Sequence, residues 1–172
     1  DRKQNIADIQ GTDAYYGRRG RHFVGRVIDT LRGLINECIS IYDDLGDQSM
    51  VTRLKVFRCI ANNAYNAVSY QAQLDRVEKY NIEPIEHTVI GTKSRWDRNL
   101  ILKTARSEID NTAMLIKLLN GNPGKYMRIA PSVEKKDIML YGPDITKLLK
   151  RKINIMNNHW EDYERMFTTP NW

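Results

Sequence analysis

The sequence predicts an all-α protein, a four-helix bundle, and three observations carry that reading. Residues 50–80 hold neither Gly nor Pro, and Met50, Leu54, Phe57, Ala61, Ala64 and Val68 recur at alternating spacings of four and three. That spacing draws one apolar stripe down a helix about 45 Å long at about 1.5 Å per residue. Three further segments show the same period. Turn formers punctuate the chain between them, most strongly at Asn120-Gly121-Asn122-Pro123-Gly124.

The central segment carries a second stripe, Val56, Ile60, Ala67, Leu74 and Val77, too wide for a single neighbour to cover. Alanines at 61, 64, 67 and 72 would let other helices approach closely. Before it, a helix is expected from about Arg21 to Leu45, with Val24, Val27, Ile28, Leu31, Leu34, Ile35, Cys38, Tyr42 and Leu45 on its face. Gly33 costs about 1 kcal/mol against Ala inside a helix and is read as a close helix crossing. Gly46 suits the left-handed position that closes a helix, and Asp47 or Ser49 would cap the next one. A turn this short makes the two helices antiparallel neighbours.

Past Tyr80 the pattern breaks at Glu83-Pro84. A connection of about a dozen residues is expected, with Ser94-Arg95-Trp96-Asp97 opening the third helix as a capping box. That helix should run to Asn120 and bury Trp96, Ile101, Ala105, Ile109, Ala113, Ile116 and Leu119. An insertion, 121–143, separates it from the fourth. Within it, Tyr126–Ile129 and Ile138–Tyr141 are short apolar runs flanking Pro131–Lys136, read as a small β-hairpin or an extended loop. The fourth helix is expected to open at Gly142-Pro143-Asp144 and to bury Ile145, Leu149, Ile153, Met156, Trp160, Tyr163 and Phe167. Residues 1–20 are read as an N-terminal arm and 21–172 as the bundle.

Composition bounds the class. The chain has 172 residues, 41% hydrophobic and 28% charged, which fits one globular domain with its own core. No apolar run approaches the roughly 18 residues of a membrane span. Two cysteines and no N-x-S/T site point to a reducing setting, with the virion as the other expected location. Cys38 and Cys59 lie at similar distances from the first turn and are read as packed free thiols. Opening at Asp1, the chain is taken for a processed, trimmed or partial sequence.

The sequence carries few signatures of chemistry. The sequence has no Gly-rich phosphate loop, no G-x-S-x-G, no C-x-x-C and no H-E-x-x-H. His159 stands near Glu161, Asp162 and Glu164, but the four do not share one helical face. No enzyme, no metal and no cofactor are therefore expected. The basic residues are the stronger signal, within a net charge of +6. Arg18, Arg19 and Arg21 interleave with Tyr15 and Tyr16 between glycines. Lys135 and Lys136 precede Lys147, Lys150 and Arg151 in the fourth helix. These are the candidate contacts to nucleic acid or an acidic partner. Tyr15, Tyr16, Tyr126, Tyr141 and Trp172 are the candidate interface anchors.

Four long helices with an arm and an interrupting loop resemble, in architecture alone, subunits of large assemblies such as the connector rings of tailed-phage particles. The resemblance implies a structural or interaction subunit that meets other protein subunits as a homo-oligomer or ring. A basic helical accessory protein that binds nucleic acid is the alternative.

Overall fold

The computed structural model describes residues 14–82, 87–135 and 141–165, with side chains over 24–74, 99–132, 134–135 and 141–165. Among these residues five helices occur: α1 (Ala14–Asp44), α2 (Gln48–Ile82), α3 (His87–Leu119), α4 (Ile145–Asn158) and α5 (Trp160–Arg165). The fold is all-α and bundle-like. Helix α2 packs between α1 and α3, α4 packs on α3, and α5 follows α4.

The turn between α1 and α2 forms for the reason its sequence suggests. Gly46 takes φ 75°, a left-handed conformation that costs glycine little. The Gly46 N–H donates to Asp43 O at 2.9 Å and the Asp47 N–H to Tyr42 O at 3.0 Å, the paired bonds of a Schellman closure. Asp47 then caps α2, its Oδ1 accepting the Met50 N–H at 3.0 Å. At the far end of α3, Asn120 (φ 43°) and Gly121 (φ 72°) reverse the chain.

Several element boundaries differ from the sequence reading. Helix α1 begins at Ala14, so 14–20 are helical, and only residues 1–13 of the expected arm lie outside the described residues. Helix α3 begins at His87, which places Ser94–Asp97 inside the helix rather than at its cap. Nothing between His87 and Ser94 forbids helix; Gly91 costs only about 1 kcal/mol there. The fourth helix starts at Ile145, after Pro143, and breaks at His159 into α4 and α5. No strand occurs among the described residues of the 121–143 insertion. It holds two single 3-10 turns, Pro123–Lys125 and Val133–Lys135, and one backbone bond from Ala130 N to Tyr141 O at 2.7 Å. The 136–140 half of the expected hairpin lies outside the described residues, as does Phe167.

The core is built from Val51, Val56, Cys59 and Ala61 of α2, Ile101, Ala105, Ile109, Leu115 and Leu119 of α3, Ile35 of α1 and Ile145 of α4. The insertion covers part of it: Tyr126 and Met127 pack against Val56, Cys59, Leu115 and Leu119, and Leu149 joins them from α4. Tyr126, read from the sequence as an interface anchor, thus packs on the chain's own core. Of the central stripe only Ala61 is buried, while Phe57 and Ala64 are exposed. Ala67 and Ala113 are exposed too, and Leu115 takes the buried place. Gly33 marks no crossing, since a Cβ there would meet nothing within 4 Å. The thiols part company as well: Cys59 is buried and Cys38 exposed.

Candidate functional site

Two surfaces of α2's neighbourhood depart from an ordinary amphipathic bundle. One lies beside the apolar core where α2 meets α3 and α4, and it is polar. Glu108 of α3 is only 8% exposed. Its Oε1 accepts Asn63 Nδ2 at 2.5 Å, Lys152 Nζ at 2.5 Å and Thr112 Oγ1 at 3.1 Å. Its Oε2 accepts Asn66 Nδ2 at 2.7 Å. Burying a carboxylate this deeply is tolerable only when it is paired and hydrogen-bonded, and here three helices supply the partners. One turn away along α3, Asn62 Nδ2 donates to Asn111 Oδ1 at 3.2 Å, and Asn111 Nδ2 to Cys59 O at 2.9 Å. Arg32 of α1 reaches the same chain, its Nε donating to Asn62 Oδ1 at 2.6 Å, with the guanidinium 4.3 Å from the Tyr65 ring centre. Gln73 and Thr104 form a third rung at 3.0 Å.

Between α2, α3 and α4 lies a cleft of about 560 Å³, walled by Ala67, Tyr70, Ala105, Ile155 and Met156, with Glu108 and Lys152 among its polar lining. Tyr163 closes it, edge-on to Tyr70 at 6.3 Å and 5.7 Å from Trp160, whose ring lies under Arg106 at 3.8 Å. Burial pushes the Tyr70 hydroxyl's pKa upward, with a smaller push from Tyr163. Glu108, the buried carboxylate among the cleft's described residues, is engaged by donors from three helices. His159 and the acids near it are each engaged locally: His159 with Asp162 at 2.7 Å, Glu161 with Arg165 at 2.9 Å, Glu164 with the Trp160 indole at 2.7 Å.

The second surface is the outer face of α1. Val24, Val27, Leu31, Leu34, Cys38, Ile41 and Leu45 follow one another at three, four, three, four, three and four. All seven are exposed, the six large apolar ones from 37% at Leu31 to 73% at Leu45. That is the three-and-four spacing also found in helix–helix seams. The residues that hold α1 to its own bundle, Ile28, Arg32, Ile35 and Tyr42, lie on a neighbouring arc. Asp29, Arg32 and Asn36 face clefts shared with α3. At about 100° per residue, the seam's centre sits roughly half a turn from them, on the side away from α3. Phe57 of α2, 45% exposed, and Ala64 open onto that same side. An apolar face this long exceeds the scattered exposure normal for a monomer.

The candidate residues from the sequence distribute as follows. Tyr15, Tyr16, Arg18, Arg19 and Arg21 fall in the first turns of α1, and their side chains lie outside the described residues. Lys147, Lys150 and Arg151 are exposed on α4, and Lys135 is exposed at the insertion's second turn. Lys136 and Trp172 lie outside the described residues. Tyr126 packs on the chain's own core, and Tyr141 is half-buried, its hydroxyl pKa raised by that burial. The sequence reading missed the Glu108 network. Its signal was present: Asn62, Asn66 and Gln73 on α2, and Thr104, Glu108 and Asn111 on α3, recur at helical spacings. No helix among the described residues is long and apolar enough to cross a membrane.

Comparison with family models, with curated proteins and with solved structures yields no match to this chain.

Proposed function

We propose that this chain acts as a four-helix-bundle subunit with a structural or interaction role in a larger multi-subunit assembly, rather than as an enzyme. The observation that carries the reading is the seam on α1. Each large apolar side chain left in water forgoes about 1.5–3 kcal/mol that burial would supply, and six such residues line one face. A viral-particle or connector-type role fits such a subunit. Pull-down of binding partners with the intact chain and with a Leu31→Glu/Leu34→Glu variant tests it. Association lost in the variant, with helicity unchanged, supports the reading; association that survives removes the seam from it.

A second reading rests on the exposed Lys147, Lys150 and Arg151 of α4. They span about 100° of one helical turn and suit a strip of phosphates. Reversing all three to Glu should weaken binding to any duplex alike. It should also lower the slope of log affinity against log salt by about 0.7–0.9 per lost contact. An unmodified chain that binds no nucleic acid at low salt rules this reading out.

A further inference from the structure

We infer that the outer face of the α1–α2 pair docks onto a second copy of itself, with the two α1 helices antiparallel across a two-fold axis. The inference rests on the seam being an interaction surface and names what covers it. Charge is the first argument. From Arg18 to Arg32, α1 carries five arginines against one aspartate. From Gly33 to its end at Asp44 it carries three acids, Glu37, Asp43 and Asp44, and neither Lys nor Arg. A parallel pairing would set Arg26 beside Arg26 at one end of the seam and Asp44 beside Asp44 at the other. An antiparallel pairing centred near Ile35 separates these like charges. Arg26 then comes level with the second copy's Asp44. Both are exposed.

Area is the second argument. The seam runs 22 residues from Val24 to Leu45, about 32 Å at about 1.5 Å per residue, and the α1–α2 pair is about 20 Å across. The face therefore offers about 640 Å² per copy, within reach of the roughly 800 Å² per partner of a stable interface. Two-fold pairing is also what a single self-complementary patch permits, and it closes without propagating. Two antiparallel helix pairs laid face to face make a second bundle, with α3 and α4 of each copy on its outside.

Sedimentation of the intact chain over a micromolar concentration series tests this, beside Leu31→Glu/Leu34→Glu and the charge variants Arg26→Glu, Asp44→Arg and their combination. The 20.1 kDa chain should weigh as a dimer, and the leucine variant as a stable monomer, its association weakened at least about a hundredfold. Each single charge reversal should weaken the dimer about three- to tenfold, and the combination should recover it. Reversals that add up without recovery overturn the antiparallel register, and a mass of three or more chains overturns the two-fold axis. If the intact chain stays monomeric while the leucine variant folds normally, the second copy is wrong and the seam belongs to a foreign chain. If the leucine variant loses stability as a monomer, the chain's own segments cover the seam, and the assembly reading falls with the inference.

Discussion

The inner face of α2 and the outer face of α1 invert the usual allocation of residues. Inside, alongside the apolar core, α2 and α3 bring together Asn62, Asn63, Asn66, Gln73, Thr104, Glu108, Asn111 and Thr112. Outside, where lysine and glutamate are expected, α1 presents a valine–leucine–isoleucine seam. The contrast separates two tasks. A saturated polar network forms in only one alignment of the helices, because a shift by a turn would strand each of its groups without a partner. An apolar seam tolerates many alignments and supplies adhesion. Polar pairing thus fixes the register between α2 and α3, while the apolar face of α1 stays exposed on the isolated chain.

The largest effect should come from breaking the inner network. Glu108→Ala removes the acceptor shared by Asn63, Asn66, Thr112 and Lys152. Taking one partner from a buried ionic cluster costs about 3–5 kcal/mol. Lys152 is partly exposed, so water relieves some of the loss and the lower end is expected. Urea unfolding measures it, and a loss below about 1 kcal/mol would mean the network contributes no specificity. Glu108→Gln keeps one carbonyl acceptor and should cost distinctly less.

The sequence made the all-α class, the α1–α2 turn and the end of α3 legible, because those rest on local chemistry. Gly46, Asp47 and the Asn120–Gly124 string act through their own backbone preferences. The allocation of faces was not legible. An apolar stripe at alternating spacing records that something covers it, and does not say whether the cover is the same chain. Met50–Val68 and Val24–Leu45 both read as core-facing stripes, yet Ala64 and Leu34 face outward. The polar interior was hidden for the converse reason. Asparagine at helical spacing reads as a solvated face until a carboxylate from another helix is known to meet it.

Next in size is the edge between the two regions. Ala61 is 5% exposed, while Ala64, less than one turn on, is exposed. Ala61→Leu should cost about 1–3 kcal/mol by overpacking. Ala64→Leu should change stability by less than about 0.5 kcal/mol. Equal costs would place both alanines in the core and restore the sequence-based stripe.

A smaller effect, of opposite sign, is expected at Gly33. It lies mid-helix with open space around its Cα. Gly33→Ala should stabilise by about 0.5–1 kcal/mol through lost freedom of the unfolded chain. For a chain of this size that raises the thermal midpoint by about 1–4 °C. A lower midpoint would show that something does approach Gly33 closely.

The gentlest probe leaves the fold untouched, because each region holds one of the two cysteines. Cys59 sits in the inner region, its thiol pKa pushed above the ordinary range by burial, opposed by Arg58 and assisted by Glu108. Folding thus favours the protonated thiol. That contribution to stability is present below the unfolded thiol's pKa and is lost as pH rises through the higher folded value. An aromatic disulfide reagent at neutral pH should therefore modify Cys59 only as fast as the bundle opens, and faster on the alkaline side. Cys38 lies exposed on the seam and should react at once in dilute protein. Raising the protein concentration should slow Cys38 and leave Cys59 unchanged if a second copy covers the seam. Should concentration slow neither, the outer face stays open. Should it slow both alike, association tightens the inner region as well, and the two faces are coupled rather than separate.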